Sequence, residues 1–496
     1  MAKGEGIYIT TSIPYVNAAP HVGHALEFVQ ADIIRRFHDI CGEETFLLTG
    51  TDENSLKNVK AAEALKITTQ ELCDRNSKLF KDLVDGVNLK YDIFFRSSDK
   101  KNHFPGAQRL WELCDQAGDI YKKEYSGLYC IGCEAFYTEG ELENGVCPEH
   151  KTKPEMVHEE NYFFKLSKYQ DKLLRLIESE EFEILSKSRR NEITSLIKAG
   201  LDDISISRSV ARSKGWGVPV PGDPEQIMYV WIDALSSYLN GIGFGYDDKK
   251  FKKWWPARIH VIGKGISRFH TIYWPAILLS AKIELPKTVF VHGYLTVAGE
   301  KMSKSNPKTA ISPIDLLKTY KADELRYYLI RDMPTFEDGD FSIEGLKDRT
   351  NKELLGDLGN LVSRVLTIAE KSGLKSYAGN NVMEGKLELE KIKQLMGKME
   401  VHEALEKTME FVRSCNRYIN EKEPWKQKGK ELEESLYNLL EAMRIITILL
   451  YPFIPSTAER MAEKLGCKVG GIGDCTFRGE FKEQIAKGDH LFKRIE

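Results

Sequence analysis

The spacing of hydrophobic positions changes period along this chain. Near the start, Ile7-Tyr8-Ile9-Thr10 is a short β-branched and aromatic run, and residues 25–41 then place apolar side chains at helical spacing until Gly42. A strand over 44–52 ends in the small-residue turn Thr49-Gly50-Thr51-Asp52, and amphipathic helices are predicted over 55–65, 69–86 and 102–117. Strand alternating with helix is the pattern of a parallel sheet covered by helices. The alternation lapses after residue 117 and resumes in buried strands at 258–265 and 288–295. Beyond about residue 320 helical periods dominate, over 323–331, 343–372, 387–415 and 431–450. The fold class read from this is α/β: a Rossmann-like parallel nucleotide-binding sheet split by an inserted domain, followed by an all-α helix-bundle domain.

The expected segments are 1–117 and 223–320 for the two halves of the sheet, with 118–165 and 166–222 forming the insertion and the return from it. A linking stem at 321–350, a helical domain at 351–470 and a short polar tail at 471–496 follow. The sequence has no internal repeat and no low-complexity tract.

Composition narrows the class. Of 496 residues, 42% are hydrophobic and 29% charged, ordinary for a soluble globular protein. No apolar run reaches the length of a membrane span. The N-terminus runs straight into a strand with no targeting pattern, so a cytoplasmic location is expected. A net charge of −3 argues against a uniformly basic nucleic-acid coat, but not against a local basic face. Six of the nine cysteines (Cys41, Cys73, Cys114, Cys415, Cys467, Cys475) are scattered and read as buried reduced thiols.

The other three are grouped. Cys130-Ile131-Gly132-Cys133 and Cys147-Pro148-Glu149-His150 supply three thiolates and an imidazole, a tetrahedral Zn²⁺ set with no open position, hence a structural zinc. The polar stretch between them carries Asn144-Gly145, a hairpin turn. Between the first strand and first helix lies His21-Val22-Gly23-His24. A helix N-terminus after a first strand is where α/β folds bind phosphate. Taken by itself the pair reads equally as a helix cap. Lys301-Met302-Ser303-Lys304-Ser305 is a cation clamp for a polyphosphate or a solvated loop. Asp52 sits at the ligand edge of a parallel sheet or caps the next helix. Trp231, Ala234 and Tyr238 recur at helical spacing, the pattern of a core stripe as well as of a pocket. Asn360 and Arg364 lie one helical turn apart, and Trp425 follows Pro424; this set suits single-stranded base recognition, unless Trp425 plugs a bundle core.

Together, the His21–His24 and Lys301–Ser305 words resemble the two signatures of class I aminoacyl-tRNA synthetases. Nearly the whole chain resembles the methionyl-tRNA synthetase family. The resemblance is carried by Ile13-Pro14-Tyr15, the Cys130/Cys133/Cys147/His150 knuckle, Trp231-Ile232-Asp233-Ala234, Gly263-Lys264, Phe269-His270, Trp274-Pro275-Ala276, His292-Gly293-Tyr294, and Asn360, Arg364 and Trp425. It implies ATP with Mg²⁺, methionine and methionine tRNAs, initiator and elongator, as substrates. It implies that His21, His24, Lys301 and Lys304 are catalytic, and that Gly23, Gly263, Lys264, His292, Gly293 and Ser303 join them at ATP. Ile13, Tyr15, Trp231, Ala234, Leu235, Tyr238 and His270 are implied for the methionine side chain, Asp52 for its amino group, and Asn360, Arg364 and Trp425 for the anticodon. Two positions depart from the family pattern: Gly265 stands where an aspartate is usual, and Leu235 where some relatives have proline. The chain shows no extra C-terminal domain of the kind that makes some relatives dimers, so a monomer is expected.

Overall fold

Six short strands form the main sheet of the molecule: β1 (Ile7–Thr11), β2 (Thr45–Thr51), β3 (Ile93–Arg96), β4 (Glu183–Leu185), β5 (Ile259–Gly263) and β6 (Thr288–His292). Their spatial order is β3-β2-β1-β5-β6-β4. The β1–β5, β2–β3, β5–β6 and β6–β4 ladders are parallel, with Ile9 opposite Ile259 and Ile259 opposite Thr288. β5 and β6 are buried almost throughout, as expected of strands covered on both faces, which explains their near-continuous apolar sequence. This computed structural model describes residues 6–131, 135–148, 151–301 and 311–496. The chain forms two compact units: 1–20 with 46–82 and 91–292, and 21–45 with 83–90 and 293–496.

In the first unit the sheet is split as the sequence predicts, but the insertion also gives a strand back. β4 lies between the helices Gln170–Glu178 and Lys187–Ala199 and pairs on the sheet edge, Thr288 opposite Glu183. Three residues are too few for a period-2 pattern, so this strand was not foreseen. The rest of the insertion is antiparallel. Strand Ile120–Cys130 runs against Glu155–Phe164 and Ala135–Tyr137. Asn144 and Gly145 have φ of 52° and 76°, and Glu143 and Val146 exchange hydrogen bonds of 3.0 and 3.1 Å, the two-residue turn the Asn-Gly pair specifies.

The second unit is mostly helical. Helix Val22–Ile40 has a buried Asp32 three turns from its start. Asp32 Oδ2 receives Arg36 Nε and Arg326 Nη2, both at 2.7 Å, and Arg326 also donates to the carbonyls of Val87, Pro452 and Phe453. One fully buried guanidinium is thus satisfied by four acceptors from three segments. The helical stretch expected over 343–372 is continuous but changes pitch. Ile343–Arg349 is α-helical, Thr350–Gly359 is π-helical and Asn360–Ser372 is α-helical, closed by Gly373 at φ 66°.

Two expectations need correction here. The helix expected over 387–415 is two helices, Leu389–Gly397 and Val401–Lys422. Met399 at φ 58° reverses the chain between them, and Glu400 N–H bonds back to Leu395 O at 2.9 Å. The 471–496 segment is not a loose polar tail. Phe481 and Phe492 are buried, and Glu480–Phe481 pairs with Tyr377–Ala378. Arg478 and Arg444 both grip the buried Glu441, and Asn351 exchanges two hydrogen bonds with Ile495. Its few apolar residues are widely spaced, so no periodicity betrayed them. Among the described residues, no helix is long and apolar enough to cross a membrane.

Candidate active site

In the first unit, β1 and β2 bring Tyr15 and Asp52 together just past their C-terminal ends. The two residues form a parallel bridge, and Asp52 N–H donates to Pro14 O at 2.9 Å. Asp52 is buried, and its Oδ1 accepts from Asn54 N–H and Ser97 Oγ, each at 3.2 Å. It does not cap the next helix. Ser55 does, accepting from Lys57 N–H, and the Asp52 carboxylate lies at the ligand edge of the sheet. Beside it, buried Glu53 binds Arg96 through both oxygens, at 2.7 and 2.9 Å. This fork–fork pair anchors the loop after β2, and it was not legible in the sequence because Arg96 is 43 residues away.

Helix Val230–Asn240 supplies an aromatic wall. The ring of Trp231 lies flat on Phe269, centroids 3.6 Å apart and planes 8° off parallel, and meets Tyr15 edge-on at 6.3 Å. Tyr238 Oη donates to His270 Nε2 at 2.8 Å. His270 Nδ1 donates to the Ile266 carbonyl at 3.0 Å. A second imidazole, His260 on β5, stacks at 4.6 Å against Tyr238. Burial, with His270 nearby, pushes its pKa well below the ordinary histidine value. Ile13, Trp231, Ala234, Leu235 and Tyr238 belong to one buried cluster with Trp274. The structure thus places these residues in one buried core, with Phe269 and His260 in ring contact with Trp231 and Tyr238. Phe269 could have been picked out by its place beside His270; His260 reads as an ordinary strand residue.

Gly263 ends β5 opposite His292 at the end of β6, and Lys264 opens the short helix that leads to His270. In the second unit Gly293 has no room for a side chain: a Cβ there would lie 2.0 Å from Glu337 O.

Also in the second unit, the His21-Val22-Gly23-His24 turn is a helix cap, and the cap prepares it for more. His21 Nδ1 accepts from Gly23 N–H at 3.2 Å, and His24 Nδ1 accepts from His21 N–H at 3.1 Å. The rings lie 3.8 Å apart. With both Nδ1 atoms used as acceptors, each proton is carried on Nε2, which makes the pair a matched set of N–H donors at a helix N-terminus. Such a set suits the oxygens of a polyphosphate.

Lys301 lies in strand Glu300–Lys301, which folds back on Leu295–Val297 through Ala298 and Gly299, at φ 54° and 73°. Asp340 braces this hairpin, accepting from Thr296 Oγ1 at 2.6 Å and Gly299 N–H at 2.9 Å, bonds that hold its carboxyl below the usual range. Ser303 and Lys304 lie outside the described residues.

Asn360, Arg364 and Trp425 share an exposed face of the helical part of the second unit. Trp425 is 49% exposed, which excludes a core plug. Arg364 stacks over it at 5.4 Å and donates to Asn420 Oδ1 at 2.8 Å.

Of the four metal-ligand candidates, Cys133 and His150 lie outside the described residues. Cys130 and Cys147 are buried, reduced and tied to the same residue: Thr152 Oγ1 lies 3.9 Å from Cys130 Sγ, and Thr152 O accepts from Cys147 N–H at 2.9 Å. Two buried thiols at the end of a hairpin are the donor type that a structural zinc knuckle uses.

Comparison with known proteins gives a family. Residues 7–153 and 139–366 match the family described as tRNA synthetases class I (M), and residues 388–487 match the anticodon-binding domain of tRNA ligase. Among similar proteins, the methionine–tRNA ligase of Brucella suis is 42% identical over 479 residues, covering 93% of this chain and 92% of that one. The methionine–tRNA ligase of Thermotoga maritima is 41% identical over 513 residues, covering 99% and 80%. Among solved structures, Mycobacterium tuberculosis methionyl-tRNA synthetase in complex with methionyl-adenylate superposes with a TM-score of 0.94 at 36% identity, covering 99% of this chain and all of that one.

Proposed function

The chain belongs to the methionyl-tRNA synthetases of class I, and on that premise we propose how its own residues divide the work. The reaction joins methionine to ATP, giving methionyl-adenylate and pyrophosphate, then passes the methionyl group to the terminal ribose of methionine tRNA.

The observation that carries the residue assignment is a buried aromatic wall linked through Tyr15 to the buried carboxylate of Asp52. Asp52 takes the ammonium group of methionine. Ile13, Tyr15, Trp231, Ala234, Leu235, Tyr238 and His270 enclose its side chain. The pocket must distinguish a thioether from hydrocarbon rivals with no charge to read. Stacked rings do that by shape and by sulfur–aromatic contact, worth about 0.3–1.5 kcal/mol each.

For ATP, His21 and His24 present Nε2–H groups to the phosphates, and Gly23, Gly263, Lys264, His292, Gly293 and Ser303 are assigned to the nucleotide by the family's signature words. Lys301 and Lys304 neutralise charge on the transferring phosphates. No nucleophilic side chain is needed, because the methionine carboxylate attacks the α-phosphate itself. Catalysis here is positioning and charge stabilisation. Mg²⁺ enters with ATP as part of the substrate.

Asn360, Arg364 and Trp425 read the anticodon of initiator and elongator tRNAs, with the exposed indole as a stacking platform. Cys130, Cys133, Cys147 and His150 hold one zinc ion, whose four protein ligands make it a folding element of the insertion. The enzyme works as a monomer in the cytoplasm, where its tRNA is charged. Charging of total tRNA with each amino acid in turn tests the reading. Methionine alone should be esterified; efficient charging with another amino acid would overturn it.

A further inference from the structure

Helix Val230–Asn240 has two working faces. One carries Trp231, Ala234, Leu235 and Tyr238; the other carries Asp233, Ser236, Ser237 and Asn240, all four fully buried. A buried carboxylate is costly unless paired. Its partner is His103, equally buried, just ahead of helix Phe104–Gln116. Asn240 Nδ2 donates to His103 Nδ1 at 3.0 Å and to His103 O at 3.2 Å. Nδ1 is therefore an acceptor, and His103 Nε2–H donates to Asp233 Oδ1. The fit is tight: a Cβ on Gly106 would lie 2.0 Å from Asn240 Oδ1.

His103 closes a loop that opens at Ser97. Ser97 Oγ donates to Asp52 Oδ1 at 3.2 Å and accepts from Glu53 N–H at 2.7 Å, and Ser97 O accepts from Asn54 Nδ2 at 2.8 Å. Between the two ends, Asp99 Oδ1 accepts from Lys101 N–H at 2.9 Å and Asn102 N–H at 3.1 Å, and His103 N–H donates to Asp99 O at 2.9 Å. The loop is thus a bonded bracket, one end on the carboxylate that takes the amino group and the other on the helix that bears the aromatic wall.

We propose that this 97–103 bracket, seated through His103 on Asp233, is the ruler that sets how long an amino-acid side chain the site accepts. His103 and Asp233 are positioning residues: they act through the helix they hold. The inference rests on the assignment of Asp52 and the aromatic wall made above. An apolar pocket discriminates one methylene by only about 10–200-fold, so a small drift of the wall is enough to erode it.

The test is ATP–pyrophosphate exchange by the full-length enzyme with methionine and with ethionine, one methylene longer. His103→Phe removes the donor. The double variant His103→Phe/Asp233→Asn also removes the charge the first would strand, and His103→Gln keeps an N–H for Asp233. Both Phe variants should raise the methionine KM about tenfold or more, narrow the preference for methionine over ethionine at least about fivefold, and leave the ATP KM unchanged. His103→Gln should stay within about threefold of the parent. The ruler is refuted if the double variant keeps the parental KM and preference, if His103→Gln is as impaired as the Phe variants, or if the ATP KM rises in step. Should His103→Phe alone fail to fold, the other two variants give the answer. Lack of methionine-dependent exchange in the parent would instead overturn the site assignment, a result distinct from any confined to the variants.

Discussion

Tyr238 and His260 lie ring against ring, 4.6 Å apart, and each is fixed by a partner on the sheet: Tyr238 O accepts from Tyr8 Oη at 2.7 Å, and His260 Nδ1 pairs with Thr10 Oγ1 at 2.6 Å. Trp274 Nε1 donates to His260 Nε2 at 3.3 Å, so this imidazole accepts on one side and donates on the other. The floor beneath the aromatic wall is a closed set of neutral hydrogen bonds reaching back to β1.

That arrangement predicts an acid sensitivity. Burial, then the neighbouring His270, depresses the His260 pKa in the folded protein, whereas the unfolded chain titrates near 6.5. Above about 6.5 neither state takes up the proton and this contribution to stability is complete. As the pH falls below that value the unfolded state gains a proton the folded state refuses, costing up to about 1.4 kcal/mol per pH unit until the folded pKa is reached. The drop in melting temperature between pH 7.5 and 5.5 should therefore be smaller in His260→Gln than in the parent. Equal drops would remove His260 from the account.

Trp425→Ala should weaken tRNA charging by about 1–3 kcal/mol, the worth of one stacked base. Methionine-dependent pyrophosphate exchange, which needs no tRNA, should be unchanged. The 49% exposure of the indole makes large destabilisation by this change unexpected. Equal losses in both assays would contradict an anticodon role.

Lys304→Ala should slow exchange about 100-fold or more, the scale on which a single group stabilising transition-state charge acts. Methionine affinity, measured by equilibrium dialysis, should stay near the parental value, because the aromatic wall and Asp52 are untouched. A matching fall in methionine binding would place the lysine elsewhere.

Zinc content measured by atomic absorption should be one ion per chain, and Cys147→Ser should abolish it. With Cys130 and Cys147 already buried and reduced, chelation should expose the 118–165 segment to proteolysis, since a small hairpin domain holds little apolar area. A metal-free parent with a resistant insertion would sink the assignment.

Much of this was written locally. β5 and β6 were legible because strands buried on both faces read as apolar runs, and the Asn144-Gly145 turn because only such pairs tolerate two positive φ angles. The apolar stripe of helix Val230–Asn240 is also visible in the sequence, although the polar stripe behind it and its partner are not. His103 lies 130 residues from Asp233, and nothing local marks it. The same holds for Arg96 with Glu53 and Arg326 with Asp32: a buried charge declares itself only when its counterpart arrives through the fold. β4 and the packed 471–496 segment escaped because three-residue strands and isolated aromatics have no period. For some ambiguous short words the structure ended the ambiguity: Asp52 is not a cap and Trp425 is not core, while the His21 side chain does cap its helix.

The central claim is that the aromatic wall and Asp52 select methionine for reaction with ATP. Amino-acid-dependent ATP–pyrophosphate exchange, run across all twenty amino acids, measures it most directly. The account predicts exchange with methionine at least about 100-fold more efficient, by kcat/KM, than with leucine or isoleucine. Exchange led by another amino acid, or none in folded enzyme with methionine and ATP, would contradict it.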